Sequence, residues 1–292
     1  MGSLLLDRLA RLLPVALLPD ADQYEIDSCA TELKRWLNVA DLQPVEVMLN
    51  QIVHNFDDQV ARIRERRHAG KACALDAQVL VMGRLGALYR TGAIHIMGLD
   101  RLARCAFLND DVVDWCMLEM FARSPLKGTA QMRVHFETAR LNGTLRQDNS
   151  ESLRRAHKTL PYDMMLCDTL LMPENDHLHW WLWVIDLKNK RLFVLDPLSH
   201  NPMALTGAVV RWLTNEYERR GFHHTHVNTW PCKSIRGQQG NNYDCGVFVI
   251  AYAKCIACKV PILDVVGTVT QKMVSSIRAR ILADAIEIVN FY

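Results

Sequence analysis

The sequence predicts an α+β fold, and three stretches carry that prediction. Residues 177–197, "HLHWWLWVIDLKNKRLFVLDP", form two β-rich arms around Asn189-Lys190 and read as a hairpin. Residues 203–221, "MALTGAVVRWLTNEYERRG", have helical apolar spacing and a closing Gly221. From Cys245 the run "CGVFVIAYAKC" is apolar on every side and reads as a buried helix. The order helix, hairpin, helix, strand, helix separates the strand pair from the helices as α+β chains do.

Residues 1–92 are expected to be a helical amino-terminal extension. Pro44 suits a helix first turn, and Val45, Leu49, Ile52, Val53, Phe56, Val60 and Ile63 recur at helical spacing. A further apolar helix is expected from Ala74 to about Tyr89. The first twenty residues are apolar, but Asp7, Arg8 and Arg11 interrupt the run, which excludes a signal-peptide core and a bilayer span. Leu6 stands where myristoylation needs Ser or Thr. This half holds no constellation of chemical residues, so it is expected to serve as scaffold or to bind a partner protein.

The texture changes near Gly92. "LNDDVVDWCMLEMFAR" (108–123) is expected to be a helix capped by Asn109 or Asp110, with Val112, Val113, Cys116, Met117 and Met120 on one face. "MMLCDTLLMP" (164–173) reads as a buried strand ended by Pro173. A strand is expected near "HTHVNTW" (224–230), which would split the histidines of "FHHTHV" between two faces and argues against a metal there.

Composition narrows the function classes. The 292 residues are half hydrophobic, and the net charge of +2 gives no pull toward nucleic acid or anionic membrane. The basic run 62–71 is as well explained by a solvated helix end. The nine cysteines are odd in number and scattered through apolar contexts, the usage of a reduced intracellular chain, in nucleus or cytoplasm. Cys255 and Cys258 lack a second ligand pair, so neither a metal nor another cofactor is expected. Asn142-Gly-Thr matches a glycosylation sequon, but in a reducing compartment it is only a turn.

Four side chains fall in suggestive places. His179 begins the first hairpin arm and Asp196 ends the second, so an antiparallel pairing brings them to one end of the sheet. A carboxylate on one ring nitrogen fixes the imidazole and leaves the other nitrogen for a thiol. Cys245 opens the apolar helix, where the macrodipole and a neighbouring imidazolium would lower its pKa toward thiolate. Gln239, six residues earlier, could supply an amide to an oxyanion beside the Cys245 backbone N–H. Gly240, Asn241, Asn242 and Gly246 keep that loop permissive. Taken singly, His179 reads as a solvated strand end, Asp196 as a turn residue before Pro197 and Cys245 as core; the spacing alone leaves both sets of readings open.

Three motifs in order add to this. "FLNDDVVDW" (107–115), "DTLLMPENDHLHWWLWVIDLKNKRLFVLDP" (168–197) and "GQQGNNYDCGVF" (237–248) make residues 93–292 resemble the ubiquitin-like-protein-specific cysteine proteases. These are the SUMO (sentrin) proteases of the adenain-like clan. The resemblance implies a papain-like fold of the adenain-like type, a central mixed sheet flanked by helices. It implies Cys245 as nucleophile, His179 as general base and acid, Asp196 as orienting carboxylate and Gln239 as oxyanion donor. It further implies cleavage after the Gly-Gly end of SUMO or a related modifier, threaded past aromatic walls at Trp180 and Phe107. Phe107 stands where the family has Trp, and Asn242 where it has Gly, which leaves the choice of modifier open. Ubiquitin, a polyprotein site and a silent modifier-binding module are the alternatives; the clan's acetyltransferase branch generally carries Glu where this chain has Asp196.

Overall fold

The computed structural model describes residues 79–82, 93–95, 101–102, 106–123, 134–136, 165, 167–176, 178–198 and 206–290. Its elements are β1 (Val79–Met82), β2 (Ala93–His95), α1 (Asp110–Arg123), β3 (Val134–Phe136), β4 (Thr169–Asp176), β5 (His179–Asp186) and β6 (Arg191–Asp196). There follow α2 (Thr206–Arg219), a 3-10 turn (Val227–Thr229), β7 (Cys232–Arg236), α3 (Cys245–Ala257), α4 (Ile262–Thr268) and α5 (Gln271–Asn290).

A five-stranded sheet in the order β3-β4-β5-β6-β7 is the centre of the molecule. The β4–β5 and β5–β6 pairs are antiparallel, and the two outer pairs are parallel, so the sheet is mixed. Side chains alternate across it, and each face has its own core. Trp180, Leu182, Val184, Phe193 and Leu195 face α1, α3, α4 and α5. Trp181, Trp183, Ile185, Leu192 and Val194 face α2, whose Val209, Trp212 and Leu213 are buried with Trp230. Every residue of α3 is buried, as its all-round apolar sequence requires.

The hairpin turns at Leu187–Lys190, where Lys190 takes φ 55° and the Asn189 N–H donates to Asp186 Oδ1 at 3.0 Å. That side-chain turn locks the register Asp186↔Arg191 through Leu182↔Leu195. Helix α2 ends as its glycine foretold, with Gly221 at φ 82°. Helix α1 matches its expected span, and Val112, Val113, Cys116 and Met117 are buried; Met120 lies outside the described side chains.

Three expectations are corrected. The helix expected over 74–89 is interrupted by β1, which pairs antiparallel with β2. "VLVM" is too short for its apolar period to distinguish helix from strand, and its valines and following Gly83 favour the strand. The rest of the expected amino-terminal helices lies outside the described residues. Strand β4 starts later than expected and runs through Pro173 to Asp176. It can, because among the described residues β3 flanks only Thr169–Leu171, and none of them needs the N–H that Pro173 lacks. The strand expected at 224–230 is a loop and a 3-10 turn, and β7 follows it. His223, His224 and His226 are exposed there, and no group of three metal-ligating side chains occurs among the described residues. No helix among them is long and apolar enough to cross a membrane.

Gly237 is the tightest point of this frame. A Cβ there would stand 2.7 Å from Pro197 Cα and closer still to the Tyr252 hydroxyl. Gly237→Ala is therefore expected to cost about 1–3 kcal/mol of stability in urea unfolding, as overpacking does.

Candidate active site

The β5–β6 ladder ends at Leu182↔Leu195, leaving His179, Trp180 and Trp181 beyond the last pair. Asp196 is next in register on β6, on the same face as His179 and diagonal to it. The gap is closed by side chains: His179 Nε2 lies 2.7 Å from Asp196 Oδ1. Asp196 is fully buried, and its Oδ1 also accepts the Leu198 N–H at 2.9 Å. A carboxylate only accepts, so Nε2 carries the proton of this bond and Nδ1 is the nitrogen that can take one. The His179 ring is tilted 39° to the Trp181 ring, with centroids 5.7 Å apart.

Cys245 is the first residue of α3. The backbone N–H groups of Trp180, the residue after His179, and of Gly246 and Cys245 itself lie near its sulfur and favour the thiolate form. The thiol and the His179 segment therefore meet at the same edge of the sheet. The expected thiolate is corrected. Burial pushes the Cys245 thiol up to about 11, the three N–H groups pull the other way, and the neighbouring Asp244 carboxylate adds to the rise. The cysteine is 0% exposed, and desolvation outweighs the helix end that the sequence emphasised.

Trp180 is also wholly buried, and its Nε1–H donates to the Leu108 carbonyl at 2.9 Å. Its indole packs against Gly246, where a Cβ would stand 3.3 Å from Trp180 Cδ1 and 3.1 Å from Leu108 Cβ. Phe107 is half-buried at the edge of that core. Gln239 reaches the same region, because the β7 strand continues beside Asp196-Pro197: Gly237 N–H donates to Asp196 O at 2.7 Å and Gln239 N–H to Pro197 O at 3.1 Å. The Gln239 amide itself is turned into its own loop, with Nε2 donating to Asn241 O at 2.6 Å.

Sequence reasoning missed the groups that hold this loop. Asp244 is buried and accepts from Asn241 Nδ2 at 2.6 Å, Gln271 Nε2 at 2.9 Å and Arg278 Nε at 2.8 Å. Arg278, 2% exposed, also donates to the carbonyls of Arg101, Ala106 and Tyr243 at 2.8–3.3 Å. The available signal was in α5, where Arg278 sits inside the apolar stripe Met273, Val274, Ile277, Ile281. A cation placed there has to find an anion in the interior.

Because the resting thiol is neutral, alkylation of Cys245 by iodoacetamide in the ligand-free protein is expected to rise about tenfold per pH unit between 7 and 9. Peptide mass spectrometry follows it; a rate independent of pH over that range would mean a standing thiolate.

Residues 106–290 match the model of the Ulp1 protease family, C-terminal catalytic domain. The chain is 26% identical over 175 residues to the ubiquitin-like-specific protease ESD4 of Arabidopsis thaliana, covering 57% of this chain and 36% of that one. It is 26% identical over 168 residues to human sentrin-specific protease 2, covering 56% and 28% respectively. The chain thus spans well under two thirds of the length of these relatives. Among solved structures, the C-terminal Ulp1 protease domain in complex with Smt3, the yeast ortholog of SUMO, superposes with a TM-score of 0.59. That match is 22% identical and covers 80% of this chain and 95% of that one. The match to the family model spans most of the chain and includes every element from α1 to α5, and the chain belongs to the Ulp1 protease family.

Proposed function

We propose that the chain is a thiol protease or isopeptidase that cleaves after the terminal Gly-Gly of SUMO or a related ubiquitin-like modifier, from precursors, from lysine conjugates or from both. The observation that carries this is the pair of half-buried His179 and buried Asp196 beside Trp180, whose N–H lies near the sulfur of Cys245, in a chain of this family. The relatives' names, ubiquitin-like-specific and sentrin-specific protease, support the substrate class.

In this reading His179 Nδ1 takes the Cys245 proton at turnover, which suits a thiol that rests neutral. The sulfur attacks the glycine carbonyl, and the Cys245 N–H and the Gln239 amide hold the oxyanion, the amide leaving Asn241 O to do so. The C–N bond then breaks, and His179 returns the proton to the departing amine. Water, deprotonated by His179, hydrolyses the thioester and frees the modifier's carboxylate. Attack requires the atoms above the buried sulfur to give way. The exposed rim Gln238, Gly240, Asn242, Tyr243 is the part of the loop open to an incoming tail. Phe107 and Trp180 flank that path, and a glycine tail asks least of such a narrow site. The reading also places the protein inside the cell, in nucleus or cytoplasm, with residues 1–92 recognising a partner.

A panel of Gly-Gly vinyl-sulfone modifiers tests it. The SUMO-type probe is expected to label Cys245, and Cys245→Ala to abolish both labelling and turnover. Gln239→Ala is expected to lower kcat on the order of a hundredfold. The complete burial of Cys245 favours one second reading, a modifier-binding module without turnover. Folded wild-type protein that binds the modifier but is not labelled would select it.

A further inference from the structure

One glutamine ties the two ends of the loop that separates Gln239 from Cys245. The Gly240 N–H donates to Gln271 Oε1 at 2.7 Å, and Gln271 Nε2 donates to Asp244 Oδ2 at 2.9 Å. Gly240 follows Gln239, and Asp244 precedes Cys245. The carboxylate can only accept and the peptide N–H can only donate, so this orientation of the Gln271 amide is the one that satisfies both.

The remaining bonds of the loop are local. Asn241 Oδ1 accepts from the N–H groups of Tyr243 and Asp244, and Asn241 Nδ2 donates to Asp244. These shape the turn without attaching it to the rest of the fold. Apart from the α3 bond from the Phe248 N–H to Asp244 O at 3.0 Å, the loop is attached by α5, through Gln271 at its first residue and through Arg278 two turns later. Arg278 grips Asp244 and the Tyr243 carbonyl, the Cys245 side of the loop. On the Gln239 side the Gln239 N–H is held by Pro197 O, and Gln271 is the side chain that links this side to Asp244. Asp244 is thereby held at both carboxylate oxygens, and the peptide beside Gln239 is held relative to it.

The geometry points to Gln271 as a positioning residue for the reaction proposed above. It sets the span between the oxyanion amide of Gln239 and the sulfur of Cys245. Its role rests on that reading of the site, and it touches no substrate atom itself. Gln271 is half-exposed, and neither of its two bonds belongs to the hydrophobic core, so the chain should fold without them.

The test is a double-mutant cycle on the modifier substrate, with folding of each variant checked by thermal unfolding. Gln271→Ala is expected to lower kcat about tenfold with KM unchanged, the size of effect a hydrogen bond to a charged group has. In the Gln239→Ala background the same change is expected to cost less than about twofold, because the group it positions is already gone. Gln271→Glu keeps the acceptor for Gly240 N–H but sets a carboxylate against Asp244, and is expected to lose at least as much as alanine. Full multiplication of the two losses would overturn the proposal, as would an unchanged kcat in either Gln271 variant, while the proposed function stood. A wild-type protein without turnover, and with Cys245 unlabelled, would remove that function and this role together.

Discussion

A fully buried carboxylate needs a proton donor of its own, and in this molecule the donor that Asp196 takes lies beyond the last rung of its ladder. Pairing between β5 and β6 stops at Leu182↔Leu195, and the imidazole of His179 reaches diagonally to fill the gap. Burial of a carboxylate is costly unless it is hydrogen-bonded, and here the histidine contact and the Leu198 N–H together offset that cost. The opened edge is also where the Trp180 N–H comes near the Cys245 sulfur. The same wedge thus creates the polar pair and the seat of the thiol.

The two faces of the sheet divide the work. On one, α2 and the tryptophans Trp181, Trp183, Trp212 and Trp230 form a core against the hairpin. On the other, the all-buried α3 brings its first residue to the wedge and leaves nothing of the helix in water. That depth fixes the position of Cys245 and suppresses its ionisation. A thiol so placed is shielded from solvent at rest.

Much of this was legible in the sequence, for local reasons. Period-two apolar arms around Asn189-Lys190 specified the hairpin, and the hairpin's register in turn specified that His179 and Asp196 meet. The unbroken apolar run after Cys245 specified a buried helix. What could not be read depends on contacts between distant segments. The strand at Val79–Met82 needed its partner at Ala93–His95 to be told from a helix. The state of the Cys245 thiol needed the burial that Leu108 and Trp180 help to enforce around α3. Asp244, Gln271 and Arg278 lie 27 and 34 positions apart, and only the docking of α5 brings them together.

The guanidinium of Arg278 reaches back to the carbonyl of Arg101, and Arg101 in turn donates to the Phe107 carbonyl at 2.9 Å. Both bonds cross the point at which the family match begins, at residue 106. A protease fragment excised at that residue would keep every group of the wedge yet strip one acceptor from a buried cation and one donor from the segment carrying Phe107. A unit that keeps both bonds therefore starts upstream of the family match, and trimming to residue 106 would loosen the segment that carries Phe107.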